Sequence, residues 1–277
     1  MTETVLNPLP MPPVPPVGLP TTQSNRERAG RVTHQASIEN SLLAALPRKE
    51  YQRLLARLEP VTLTFGEVLY EPGETIRHVY FPSTSLVSLL TLVDGHLAME
   101  VGLIGREGMV GIPLVLGHNE SSVRALVQGS GTAMRMAAAH FRKEFRLSLT
   151  LRQELYRYTH ALMAQISQTA ACNRFHVVET RLARWLLMTH DRVNSDRFHM
   201  TQEFLGHMLG VRRVGVTRAA QALQKHKLIS YSRGDIAVLD RSGLEAAACQ
   251  CYEVVKDMHD GAQAGRAMRK MRNSAAA

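Results

Sequence analysis

Three arginines, Arg212, Arg213 and Arg218, crowd the stretch LGHMLGVRRVGVTRAA, and Lys225 and Lys227 follow. No Asp or Glu occurs from Phe204 to Tyr231. A guanidinium presents a planar fork of donors that fits a phosphate, a carboxylate or the O6/N7 edge of guanine. An exposed helix ordinarily mixes charge signs, because i,i+4 ion pairs stabilise it and like charges repel. An acid-free cationic stretch therefore calls for an anion from outside the chain. The whole sequence leans the same way, with 33 Lys and Arg against 24 Asp and Glu and a net charge of +9. That balance suits a polyanion such as nucleic acid.

Other chemistry is thin. The sequence holds no H-E-x-x-H, no G-x-S-x-G, no Walker A loop and no helix-opening G-x-G-x-x-G, so no enzyme is expected. Cys172 stands apart from a C-x-C pair at Cys249 and Cys251. That pair lacks a second ligand pair in sequence, so neither a disulfide framework nor a metal site is expected, and no cofactor is called for. His78 and His96 read as ordinary surface or core histidines. The N-terminus has neither a basic start nor an apolar segment, and no run of about 18 apolar residues suggests a membrane span. The expectation is a soluble cytoplasmic protein of 277 residues whose 45% apolar content fills a core.

The cationic stretch needs elements to position it. Thr201 can cap a helix over 202–209, and Gly210 suits the left-handed residue of a tight turn. A second helix runs from Arg212 to Lys225. At about 100° per residue, Val216, Ala219 and Leu223 face inward. Val214, Thr217, Arg218, Gln221 and Lys225 face out, with Arg213 beside them. Two short strands around Ser232-Arg233-Gly234-Asp235 complete a winged helix-turn-helix. In such a unit the second helix enters the major groove of double-stranded DNA. Arg213 and Arg218 would grip guanine, Gln221 adenine, and Val214 a thymine methyl. Lys227 and Arg233 would meet phosphates, and Arg212 belongs to the same DNA-binding set.

Upstream, seven prolines between Pro8 and Pro20 mark residues 1–36 as a disordered tail. Leu42, Leu43, Leu46, Leu54 and Leu58 predict two short helices split by Pro47. Short β-rich runs separated by Gly turns, with a hairpin at Asp94-Gly95, predict a β barrel or sandwich over 37–147. Leu151, Leu155, Tyr158, Leu162 and Ile166 recur at helical spacing and predict one long helix over 148–173. Its narrow apolar seam suits a homodimer. Asn173-Arg174 reads as a hinge to the DNA-binding domain, 174–246. An extension with a basic end, 247–277, closes the chain.

This order resembles the Crp/Fnr family of bacterial transcription regulators. The stretches that carry the resemblance are VTLTFGEVLYEPGE, VVETRLARWLL and TQEFLGHMLGVRRVGVTRAAQALQKHKLIS, within roughly Leu54 to Leu244. The resemblance implies an α+β chain: a cyclic-nucleotide-binding-like β-roll, a long dimerisation helix and a C-terminal winged helix-turn-helix. It implies a homodimer on a two-fold symmetric operator, with RNA polymerase as a further partner if the output is activation. Family recognition helices carry Arg-Glu-x-x-x-Arg. Arg213 and Arg218 match the arginines, Val214 replaces the Glu, and Arg212 replaces a small capping residue.

Members that bind cyclic nucleotides hold the phosphate with a Gly-Glu turn and an arginine beside Ser/Thr-Ala. The corresponding residues here are Gly105, Glu107, Ser121 and Ser122, with Arg124 on the next strand and Ser167 on the long helix. No arginine falls at the phosphate position, and Glu120 would repel the anion. Cyclic-nucleotide response is therefore the alternative reading, and the small-molecule effector is left unassigned. An iron–sulfur sensor would need about four cysteines, and none precedes Cys172.

Overall fold

A computed structural model describes residues 40–93, 97–193 and 195–260. The Pro-rich tail, the basic end, Asp94-Gly95 and His96 lie outside the described residues. Helices α1 (Ser41–Ala44) and α2 (Arg48–Leu55) come first. Pro47 divides them at the N-cap of α2, where its missing N–H costs no helical bond. Seven strands follow: β1 (Glu59–Leu63), β2 (Val68–Tyr70), β3 (His78–Pro82), β4 (Leu86–Val93), β5 (Leu97–Ile104), β6 (Arg124–Gly129) and β7 (Gly131–Ala137). They form two antiparallel sheets, ordered β1-β7-β3 and β2-β6-β4-β5. β2 is too short to show a period, and the sequence pattern did not announce it.

Helix α3 (Ala138–Leu147) leads into the long helix α4 (Leu149–Phe175). Ser148 caps α4, its Oγ accepting from the Leu151 N–H at 2.9 Å. The expected seam of α4 is already occupied. Leu151, Leu155, Tyr158 and Leu162 are buried in one core with Phe81, Ile104, Val110 and Phe141, and Ile166 packs against it. Leu151, Leu155, Tyr158 and Leu162 therefore hold α4 to its own β-roll and are not free for a second chain, while Ile166 stays half-buried. The solvent side carries a different pair of rows at seven-residue steps. Leu149, Tyr156, Met163 and Ala170 form one, and His160, Ser167 and Arg174 the other, all exposed.

The C-terminal half comprises α5 (Val178–His190), β8 (Arg197–His199), α6 (Gln202–Leu209), α7 (Arg213–Lys225), β9 (Ile229–Ser232), β10 (Asp235–Val238) and α8 (Arg241–Ala247). A further helical run covers 251–260. The break between α4 and α5 falls at His176 and Val177, both extended, two residues beyond the expected hinge.

The two halves share an apolar layer. Leu86, Leu90 and Leu103 from the β-roll cluster with Leu182, Trp185, Leu186 and Leu205. Two buried carboxylates cross the same boundary. Glu100 accepts from the Trp185 indole N–H at 3.0 Å and lies 2.7 Å from the Ser88 hydroxyl. Glu107 pairs with Arg192 at 2.7 Å.

Burial drives the Glu100 carboxyl up to about 7, against weaker opposing hydrogen bonds from Ser88 and Trp185. Its ordinary value is 4.5, so the fold prefers the protonated acid. Below pH 4.5 both folded and unfolded chains carry the proton. Between there and pH 7 only the folded chain keeps it, so stability falls as pH rises through that window. The full loss is roughly 3 kcal/mol, at about 1.4 kcal/mol for each pH unit of the interval. Glu100→Gln, which stays neutral, is expected to flatten this component. Thermal melts of both proteins from pH 5 to 8 check it; parallel curves would place the titration elsewhere.

Candidate nucleic-acid interface

The helix-turn-helix is built as its sequence dictates. Thr201 caps α6 by accepting from the Phe204 N–H at 3.2 Å. Gly210 ends it with φ 61°, a left-handed geometry that costs a residue with Cβ roughly 1–2 kcal/mol. Gly206 is needed for a different reason: a Cβ there would sit 2.9 Å from the Val211 carbonyl oxygen. On α7, Val216, Ala219, Ala220 and Leu223 are buried and fix the helix on the α5 and α6 side. Arg213, Val214, Arg218, Gln221 and Lys225 are exposed, as their spacing predicts. Thr217 is half-buried and donates to Gln202 Oε1 at 2.7 Å, so it ties α7 to α6. Arg212 is exposed at the N-cap of α7.

The wing is a sheet of three strands in the order β8-β10-β9. Tyr231 anchors it, donating its hydroxyl to the Met200 carbonyl at 2.6 Å and its N–H to Gln224 at 2.8 Å. Burial pushes the Tyr231 hydroxyl up to about 12, so it remains a donor. β8 escaped the sequence reading because three residues, RFH, carry no usable alternation.

Backbone geometry singles out two of the cations. Among the described residues, the only non-glycines with positive φ are Lys227 at 59° and Arg233 at 51°. Lys227 follows α7 where Gly is the unstrained choice. Arg233 opens the wing turn before Gly234. Each keeps a charged, exposed side chain at a strained backbone position. Arg212, Arg213, Arg218, Lys225, Lys227 and Arg233 are all exposed. None joins the ion pairs formed among the described residues. Their counter-charge is not in this part of the chain.

Residues 180–247 match the family of Crp-like helix-turn-helix domains. The fold is that of solved Crp/Fnr regulators. FixK2 of Bradyrhizobium japonicum superposes with a TM-score of 0.60 at 15% identity, covering 69% of this chain and 98% of its own. A CRP-family transcriptional regulator of Thermus thermophilus gives 0.57 at 16%, covering 68% and 96%. The chain therefore carries a Crp-like helix-turn-helix domain within a fold shared with Crp/Fnr regulators. A third similar structure is CLP of Xanthomonas campestris, described as c-di-GMP responsive, with a TM-score of 0.54 at 16% identity over 69% of this chain and 99% of CLP. No curated protein sequence matches the chain. Among the described residues no helix is long and apolar enough to cross a membrane.

Several of the residues expected to form an effector pocket are engaged by partners within the chain. Glu107 is engaged by Arg192, and the Gly105 N–H donates to it at 3.2 Å. Burial works to raise the Glu107 carboxyl, but the charges of Arg192 and His259 and the hydrogen bonds it accepts together hold the group below its ordinary value. Arg124 donates to Glu71 at 2.8 Å. The Ser121 hydroxyl donates to the Val123 carbonyl at 2.7 Å, and Ser122 is exposed. Ser167 lies on the outer face of α4 and donates to the Met163 carbonyl. Glu107 does line a cleft of about 270 Å³, but its other walls come from Arg192, Asp191, Tyr252 and His259. Gly105, Ser121, Ser122, Arg124 and Ser167 do not line it.

The cysteines also require a correction. The fold brings Cys172 and His176, at the end of α4, against Cys249 and Cys251. The C-x-C pair does have partners, one helical turn apart and distant in sequence.

Proposed function

We propose that this regulator binds a two-fold symmetric DNA operator as a homodimer, with α7 in the major groove. The observation that carries the reading is the set of exposed cations on α7, at its N-cap, just after its last turn and on the wing, none of which joins an ion pair among the described residues. Phosphates supply the missing charge, and counterion release supplies much of the affinity. Arg213 and Arg218 are the base readers, with Gln221 and Val214 beside them; Arg212, Lys225, Lys227 and Arg233 hold phosphates. Val214 is 55% exposed and offers only methyl groups, so the base pair it faces would be read by apolar contact.

The dimer forms through the outer rows of α4. Leu149, Tyr156 and Met163 are 58%, 52% and 60% exposed, and aligned apolar residues at heptad spacing are the seam of a two-helix coiled coil. Partners engage Glu107 and Arg124 from within the chain, which disfavours a cyclic-nucleotide phosphate there.

Recovery of genomic fragments on the purified protein, followed by gel shift, tests the reading. Arg218→Ala is expected to relax preference at one position of each half-site, at roughly 1–3 kcal/mol per lost bidentate contact. Lys227→Gly is expected to weaken all sequences alike and lower the salt slope by about one per site. It should also raise thermal stability by up to about 1 kcal/mol, because a left-handed residue is relieved. Equal affinity for every fragment and for random DNA at moderate salt would sink the proposal.

A further inference from the structure

The junction between α4 and α5 holds a group of side chains with no part in DNA contact. Cys172, His176, Cys249 and Cys251 each offer a ligand atom, and all four atoms lie within 4.8 Å of one another. Cys172 Sγ is 3.5 Å from Cys249 Sγ, and Cys251 Sγ is 3.5 Å from His176 Nδ1. A zinc ion with Zn–S bonds of about 2.3 Å and Zn–N bonds of about 2.0 Å defines a tetrahedron. Its S···S edges are about 3.8 Å and its S···N edges about 3.5 Å. The Cys172–Cys249 and Cys251–His176 spacings match those edges to within a few tenths of an ångström, and the other pairs lie within 4.8 Å, close enough for small rotamer shifts to complete the set. The three sulfurs are buried and His176 is exposed at the rim, so the site is closed on the protein side with one face toward solvent.

We propose that these four residues bind one zinc-class cation, a structural Cys3His centre. Two independent features support the assignment. The Gln168 amide donates to Cys251 Sγ at 3.0 Å, the kind of outer-shell bond that orients a metal-bound thiolate. Arg181 and Arg184 are buried nearby, each with its Nε unpartnered, and neither pairs with a carboxylate among the described residues. Buried cations without an anion are costly. Three thiolates and one divalent ion leave a net charge of −1 beside them, whereas three neutral thiols leave none.

Binding displaces the thiol protons to solvent while Sγ of each cysteine and a ring nitrogen of His176 donate to the ion. A sulfur-rich tetrahedral set selects zinc over the oxygen-seeking magnesium and calcium. The ligands come from the last turn of α4, the α4–α5 break and the segment after α8. The ion would therefore clip the C-terminal segment onto the joint between the long helix and the DNA-binding half.

The test measures metal content in full-length protein purified without chelator or affinity metal. One zinc per chain is expected, together with uptake of cobalt to give the intense visible bands of a tetrahedral cobalt–thiolate centre. Cys249→Ser/Cys251→Ser should reduce both to background. His176→Ala changes an exposed side chain and leaves the core intact; it should stay folded and lose zinc to a chelator at least roughly 10–100-fold more readily. Any of three results overturns the proposal. One is wild-type protein that carries no zinc and takes up no cobalt. Another is zinc that remains at full occupancy in the cysteine variant or is held equally tightly after His176→Ala. The third is a Cys172–Cys249 disulfide in freshly purified protein.

Discussion

Met163→Asp is expected to turn the dimer into a folded monomer whose operator affinity is weaker by roughly 10²–10⁴-fold, the usual gain from joining two half-site contacts. Met163 is 60% exposed in the single chain, so the charge costs the monomer nothing in burial. At a symmetric helix pair, however, a seam residue meets its own copy. Two carboxylates would be desolvated against each other, with Tyr156 and Ala170 one heptad away on either side. Sedimentation equilibrium should give the mass of one chain, and the melting temperature of the monomeric unit should hold. Leu155→Asp is expected to behave differently. Leu155 is 0% exposed inside the β-roll core, so that variant should lose the fold itself, with loss of DNA binding only as a consequence. A Met163→Asp protein that remains dimeric at micromolar concentration would move the interface off α4.

The contrast explains what the sequence could reveal about this helix. Its length and its cap at Ser148 were readable, because apolar residues repeat at three and four steps along it. Which side faces a partner was not. Leu151, Leu155, Tyr158 and Leu162 make one apolar row, and Leu149, Tyr156 and Met163 make another on the far side. Periodicity reports both rows and says nothing of which one the β-roll covers. The richer row was the natural choice for a dimer seam, and it is the row that the chain buries for itself.

The DNA-binding face was readable for the opposite reason. Its signal is local: no acid for a stretch of 28 positions, 204–231, a glycine at the turn, and inward residues at helical spacing. All of these lie within one short segment. The cysteine cluster depends on a joint whose halves lie at 172–176 and 249–251, and C-x-C viewed alone has no partner. Only the packing of the segment after α8 against the end of α4 supplies one. The partners of the expected effector residues were not legible either. Glu107 and Arg124 sit in the turn and strand that the family pattern implies, but Arg192 and Glu71 reach them first. No sequence rule identifies a partner 85 residues away, the separation of Glu107 and Arg192.

That buried pair sets the second large effect. Glu107→Gln is expected to destabilise the folded chain by roughly 3–5 kcal/mol, the cost of leaving one member of a buried ion pair without its counter-charge. The glutamine keeps the volume and can still accept from the Gly105 N–H, so no cavity term enters. Arg192 then remains charged with 7% of its side chain exposed, bonded to the Met188 carbonyl at 2.8 Å but with no carboxylate. Removing the second charge should recover most of the loss, since the desolvation cost of the guanidinium disappears with it. Glu107→Gln/Arg192→Met is therefore expected to melt closer to wild type than Glu107→Gln alone. Denaturant titrations of wild type, the double variant and each single variant close the cycle. A coupling near zero would mean that water reaches Arg192 and that the cleft beside it is open in solution. A large coupling would show that the β-roll and the DNA-binding half are locked across this contact, so a ligand that separates them must first compensate both charges.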